Sequence, residues 1–211
     1  MTKLVKLELD PVGGHSALAP DDLCYYIGDY TPRAGYAHSE MNKRIINLKK
    51  DPSRRDKDEW QYKEKAIRES ARLLTSAFSD YPLERCIFIP IPPSKNRDDP
   101  MYDDRLMQIL NRVIGIEESQ IIEAINVRSS TDAVHLSSGR RATVEAIKQN
   151  YILDHLNFTE KPKVVWLFDD VIASGAHFKA AKQLLMTVPS LETIPIVGLF
   201  IARSILEPQA Q

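Results

Sequence analysis

The sequence predicts an α/β protein built on a parallel β-sheet with helices on both faces, preceded by an N-terminal extension. Three observations predict it. From residue 84 onward, short apolar runs alternate with amphipathic stretches, which is how βα units read in a sequence. The runs are continuously apolar, as strands covered on both faces should be. One of them, Val164-Val165-Trp166-Leu167-Phe168, ends in Asp169-Asp170 and passes through Ala173-Ser174-Gly175-Ala176 into an amphipathic stretch. At 211 residues the chain suits one main core, with 1–83 as a hood and helix packed on it and 84–211 as the core itself.

Residues 3–9 alternate polar and apolar, the period of a half-buried strand, and Pro11, Gly13 and Gly14 end it. The stretch 23–50 is aromatic early (Tyr25, Tyr26, Tyr30, Tyr36) and basic late (Lys43, Arg44, Lys49, Lys50), and its pattern assigns no single element. Residues 51–59 are charged or turn-forming and read as a solvated loop. A helix follows, with Trp60, Ile67, Leu74 and Phe78 on one stripe, Ala71 and Ala77 beside them, and Lys63, Lys65, Arg68 and Glu69 on the other side. The core strands are predicted over 86–91, 121–127, 164–168 and 194–202. Helices are predicted over 105–114, 140–149 and 177–188, where apolar residues recur at three and four spacing.

Composition excludes several classes. The chain has 28 basic and 29 acidic residues, so no global field draws it to nucleic acid or to a membrane surface, and nucleic acid is not indicated as a partner. Cys24 and Cys86 lack the paired spacing of a zinc or redox motif and read as buried thiols. No segment approaches the ~20 apolar residues of a membrane span, and the N-terminus lacks a signal-peptide core. A cytoplasmic protein is expected, and a homodimer is left open.

The chemistry concentrates in Phe168-Asp169-Asp170-Val171-Ile172-Ala173-Ser174-Gly175-Ala176-His177. Small residues let the backbone approach an anion, and a helix start presents outward N–H groups with the positive end of its dipole behind them. Two carboxylates would repel a bare phosphate. They suit a sugar phosphate, whose hydroxyls need acceptors and whose pyrophosphate brings Mg²⁺. A strand ending in Asp-Asp is also how a solvated strand edge and helix N-cap reads.

This segment resembles the phosphoribosyl diphosphate (PRPP) signature of type I phosphoribosyltransferases, most of all ComF-type members, in which Asp-Asp-Val-Ile-Thr-Thr-Gly-Ala-Thr is usual. The resemblance covers about residues 84–203 and implies a phosphoribosyltransferase-like sheet. It implies that Asp169 and Asp170 hold the ribose 2′- and 3′-hydroxyls, with any Mg²⁺ contact made through ligand or water. Ala173, Ser174, Gly175, Ala176 and His177 would wrap the 5′-phosphate. Ala173 and His177 stand where the family commonly has threonines, and a ring N–H of His177 can replace one lost hydroxyl.

Pro90-Ile91-Pro92-Pro93-Ser94-Lys95-Asn96-Arg97 resembles the family's pyrophosphate loop, which makes Ser94, Lys95 and Arg97 ligand contacts and Lys95 a catalytic cation for the departing pyrophosphate. Arg105 falls near an arginine that ComF-like chains carry after this loop. Residues 128–141 resemble the mobile segment that closes over substrate, with Arg140 as a further ligand contact. Arg140 with Arg141 also reads as a solvated basic pair, and Lys95 and Arg97 also read as plain loop charges. His15, His38 and His135 have no partner that the sequence names.

The implied activity is Mg²⁺-dependent transfer of ribose 5-phosphate from PRPP to an unidentified acceptor with release of pyrophosphate. The alternative is a regulatory module that binds PRPP or a nucleotide without turnover, in a competence or phage-defence setting. The acceptor would be recognised by stretch 23–50, where Tyr25, Tyr26 and Tyr30 either stack a base or pack in a strand.

Overall fold

The chain is described from a computed structural model, which places residues 2–9, 14–130, 142–154, 156, 158 and 160–205. Strands β1 (Val5–Lys6), β2 (Cys24–Tyr30), β3 (Cys86–Pro90), β6 (Val164–Ile172) and β7 (Ile196–Ser204) form one sheet in the order β1-β2-β7-β6-β3. All pairs are parallel except β1 with β2. Helices α1 (Glu40–Leu48), α2 (Trp60–Ala77) and α3 (Arg105–Leu110) cover one face, and α4 (Val144–Asn150) and α5 (Ala176–Leu185) the other. This is the expected α/β class, compatible with a phosphoribosyltransferase-like fold.

Strict alternation in the continuous apolar runs explains how both faces are filled. Ile87, Ile89, Val165 and Leu167 enter the core beneath α5, while Cys86, Phe88, Trp166 and Phe168 enter the core beneath α2 and α3. Phe88 and Phe168 are 0% exposed, and each such side chain contributes roughly 1.5–3 kcal/mol through burial. Phe78 of the α2 stripe closes edge-to-face on both Phe88 and Trp166.

The stretch that the sequence left unassigned holds two elements. Cys24–Tyr30 is a strand of the main sheet, paired with β7. Tyr25 packs edge-on against Trp166, and Arg203 covers the ring of Tyr26. Helix α1 starts at Ser39, whose side chain accepts from the Asn42 N–H. The buried Asn42 amide in turn ties Thr31 and Gly35 to the helix.

Three expectations are corrected. The strand expected over 121–127 does not join the main sheet: Ile121 makes one parallel bridge to Phe88, and β4 (Ile125–Val127) pairs antiparallel with β5 (Tyr151–Leu153) as a separate hairpin. The strand expected over 3–9 shortens to β1, which pairs with Tyr26 and Tyr25 of β2 and is followed by one further bond from the Leu7 N–H to the Cys24 carbonyl. Lys63, expected on the polar side of α2, is 1% exposed; Asp103 and the Lys50 carbonyl compensate its charge inside the protein. Among the described residues no helix is long and apolar enough to cross a membrane.

Candidate functional site

β3 and β6 run parallel in register to Pro90 and Phe168, and the Ile91 N–H continues the ladder to the Phe168 carbonyl at 2.8 Å. The loop after β3 and the acid pair of β6 therefore reach the same carboxyl edge of the sheet. Alternation along β6 then sends consecutive carboxylates to different neighbours. Asp170 follows Phe168 toward α3, where Arg105 meets it, while Asp169 follows Leu167 toward Tyr151 and His177.

Asp170 is buried, and both its oxygens are engaged. Oδ2 accepts from Arg105 Nη2 at 2.6 Å and Nε at 3.0 Å, and Lys49 Nζ lies 3.1 Å from Oδ1. Arg105 Nη1 also donates to Asp103 Oδ2 at 2.8 Å, and that oxygen accepts from the buried Lys63 Nζ at 2.6 Å. A continuous chain of charges thus runs Lys63, Asp103, Arg105, Asp170, Lys49.

Two adjacent carboxylates in this setting titrate apart. Burial raises Asp169 to about 7, and the charge of Asp170 adds to the rise against Lys49 and Arg105. Burial would also raise Asp170, but the charges of Arg105 and Lys49 overcome it and hold its carboxyl below the ordinary value. Asp170 is therefore a fixed negative charge near neutral pH, and Asp169 is poised to carry or release a proton. Asp169 Oδ1 accepts from the Asp170 N–H at 2.7 Å.

The turn after β6 has the geometry that its small residues require. Gly175 caps α5 with φ +83°, a left-handed conformation that disfavours any Cβ. Ser174 Oγ accepts from the Ala176 N–H at 3.3 Å. The first-turn N–H groups of α5 have no acceptor within the helix and point along its positive end. At His177, Nδ1 lies 2.8 Å from the Tyr151 hydroxyl. With that hydroxyl as donor, Nε2 carries the ring proton. The ring is accessible within the hollow yet surrounded by protein, and desolvation followed by the Lys49 charge lowers its pKa.

The N-terminal segment straps this turn. His15 Nδ1 lies 2.5 Å from the Ala173 carbonyl, the Ala17 N–H donates to the Ser174 carbonyl at 2.9 Å, and Leu18 lies against Gly175. Asp22 anchors the segment to α5 through Lys179 and Lys182 at 2.5 and 2.7 Å. No partner of His15 was legible in the sequence, because its contact to Ala173 joins distant parts of the chain.

Ser94, Arg105, Asp169, Asp170, Ala173 and His177 line one cavity of about 290 Å³. Ser174, Gly175 and Ala176 line an adjoining hollow of about 60 Å³ that shares Asp169, Ala173 and His177. The structure thus brings together most of the residues that the sequence singled out. Lys95 and Arg97 stand outside this lining. Arg97 donates to Asp154 Oδ2 at 2.6 Å and to the Glu123 carbonyl, so it clamps the β4–β5 hairpin to the loop. Arg140 lies outside the described residues. Lys49, Tyr102 and Glu123 join the lining without a signal in the sequence, and the Tyr102 hydroxyl donates to Glu123.

No protein-family model matches the chain, and no curated protein matches it. The functional reading therefore rests on the residues of the site. Among the described residues no group of three or more His, Cys, Asp or Glu side chains is arranged to hold a metal ion. The cations on Asp170 disfavour a divalent ion at its oxygens.

Proposed function

We propose that the protein binds PRPP with Mg²⁺ in this cavity and transfers ribose 5-phosphate to a nitrogenous acceptor. The observation that carries the reading is the convergence of Asp169, Arg105, the loop after β3 and the turn residues Ala173 and His177 on one cavity, with the rest of the turn lining an adjoining hollow, at the carboxyl ends of adjacent parallel strands, where open α/β sheets bind ligands. The turn N–H groups, Ser174 and His177 Nε2 would hold the 5′-phosphate. Asp169 would accept from a ribose hydroxyl, and Arg105 would face the pyrophosphate.

In the transfer the C1′–O bond to pyrophosphate breaks and pyrophosphate leaves with the bonding pair. A C1′–N bond forms and the acceptor loses one proton. Positioning and stabilisation of the leaving charge supply the rate, so no protein nucleophile is needed. Mg²⁺ would neutralise the pyrophosphate oxygens. Asp169, titrating near neutral pH, is suited to take the acceptor's proton.

One observation favours the second reading, a module that binds PRPP or a nucleotide without turnover: both oxygens of Asp170 are held by cations rather than presented to a ligand. Pyrophosphate release from PRPP, followed across nitrogenous bases and amines, separates the two. Release that falls at least ten-fold in Asp169→Asn supports transfer. PRPP binding without release under any acceptor supports the sensing module.

A further inference from the structure

Asp170 is held by two cations in different ways. Arg105, with its side chain 15% exposed, places two donors on Oδ2 and a third on Asp103. Lys49, 46% exposed, makes a single contact at Oδ1. Its carboxylate partner is buried while the ammonium is half-exposed, so Lys49 is the solvated side of the pairing. The backbone beneath Lys49 is fixed nonetheless. Lys49 caps α1, and the next carbonyl, of Lys50, accepts from buried Lys63 Nζ at 2.8 Å. The stem is placed and the ammonium can move.

The ammonium also lines the cavity, beside Ser94, Asp169, Ala173 and His177. Along the charge chain Lys49, Lys63 and Arg105 contact the carboxylates of Asp103 and Asp170. Of the other acidic side chains of the lining, Asp104 accepts from Gln108, Glu123 accepts from Tyr102 and lies 3.5 Å from Arg97, and Asp169 accepts from the Asp170 N–H. Lys49 and Arg105 are the two cations of the lining, and of the two Lys49 is the half-exposed one.

We infer that Lys49 is an anion-binding residue that rests on Asp170 and transfers to a phosphate or pyrophosphate oxygen of the ligand, releasing Asp170 Oδ1 for a sugar hydroxyl. The hydroxyl half of this statement rests on the ribose phosphate reading above; the anion half does not. The exchange sets a ligand class. A molecule that carries both groups draws Lys49 away and fills the vacated Asp170 oxygen, whereas inorganic pyrophosphate leaves that carboxylate without a replacement donor. PRPP should therefore bind more tightly than pyrophosphate.

Calorimetric titration of PRPP and of inorganic pyrophosphate, each with Mg²⁺, into the wild type, Lys49→Met and Lys50→Met tests the exchange. Lys49→Met is expected to weaken both ligands by about ten-fold or more, the loss that follows removal of one charge-assisted contact. Lys50→Met should leave both unchanged, since only its backbone carbonyl takes part. Pyrophosphate affinity that is the same in Lys49→Met, or absent in the wild type, overturns the inference. Pyrophosphate binding that depends on Lys49, with PRPP no tighter than pyrophosphate, supports the anion role and overturns the ribose phosphate reading instead.

Discussion

Lys63 Nζ lies 2.6 Å from Asp103 Oδ2, the oxygen that Arg105 Nη1 also reaches at 2.8 Å, and the Lys63 side chain is 2% exposed. The cation thus anchors from below the arginine that holds Asp170. Removing one partner of a buried ion pair costs more than the pair contributes, because the remaining charge stays desolvated. Lys63→Met is expected to destabilise the fold by about 3 kcal/mol, since Asp103 keeps Arg105 but the Lys50 carbonyl loses its donor. Urea unfolding checks the value, and a loss near zero would show that Lys63 is dispensable to the chain of charges.

The acid pair makes stability depend on pH in two windows of opposite sign. Asp169, raised to about 7, favours folding fully below its ordinary value of 3.8 and loses that contribution as pH rises through about 7. Asp170 is lowered, so its contribution is present above 3.8 and is lost as pH falls below it. Unfolding at about pH 5 and about pH 8 spans the first group's window; His177, lowered in the folded state, gains stability over the same rise, and comparison with Asp169→Asn separates the two. The wild type should lose more stability than Asp169→Asn across that interval, and equal losses would mean that Asp169 ionises normally.

Gly175→Ala should be among the costliest changes in the turn. Its φ of +83° disfavours a Cβ, and an added Cβ would stand 2.5 Å from Leu18 Cδ2. A loss of about 1–3 kcal/mol is expected from the backbone strain, with the clash in addition. Leu18→Ala in the same chain removes the clash and leaves the strain, so the double variant should recover part of the loss. Thermal unfolding of the three variants resolves the two contributions.

The main sheet was legible because β3, β6 and β7 are continuous apolar runs whose alternation serves two cores, although β6, expected to end at Phe168, continues through Asp169 and Asp170 to Ile172 along β7. The turn 173–177 was legible for the same local reason. What failed was non-local. Lys63 sits where helical periodicity places a solvated residue, and Asp103, forty positions away in sequence, together with the Lys50 carbonyl makes its burial tolerable. Lys49 reaches the cavity because α1 packs beside α2, which no residue near Lys49 encodes. The run 121–127 carries strand-like residues, yet β3 receives only Ile121 at its edge, and the rest is taken by the hairpin with β5.

The central claim is that Asp169 and the turn 173–177 bind a ribose phosphate that brings Mg²⁺. Thermal unfolding with PRPP and Mg²⁺, with PRPP and a chelator, and with Asp169→Asn under both conditions tests it most directly. The account predicts a rise in melting temperature that is larger with Mg²⁺ than with chelator. In Asp169→Asn, losing one charge-assisted hydrogen bond should weaken binding about ten- to a hundred-fold and shrink the rise accordingly. A melting temperature that no ribose phosphate moves, with or without Mg²⁺, would contradict the account.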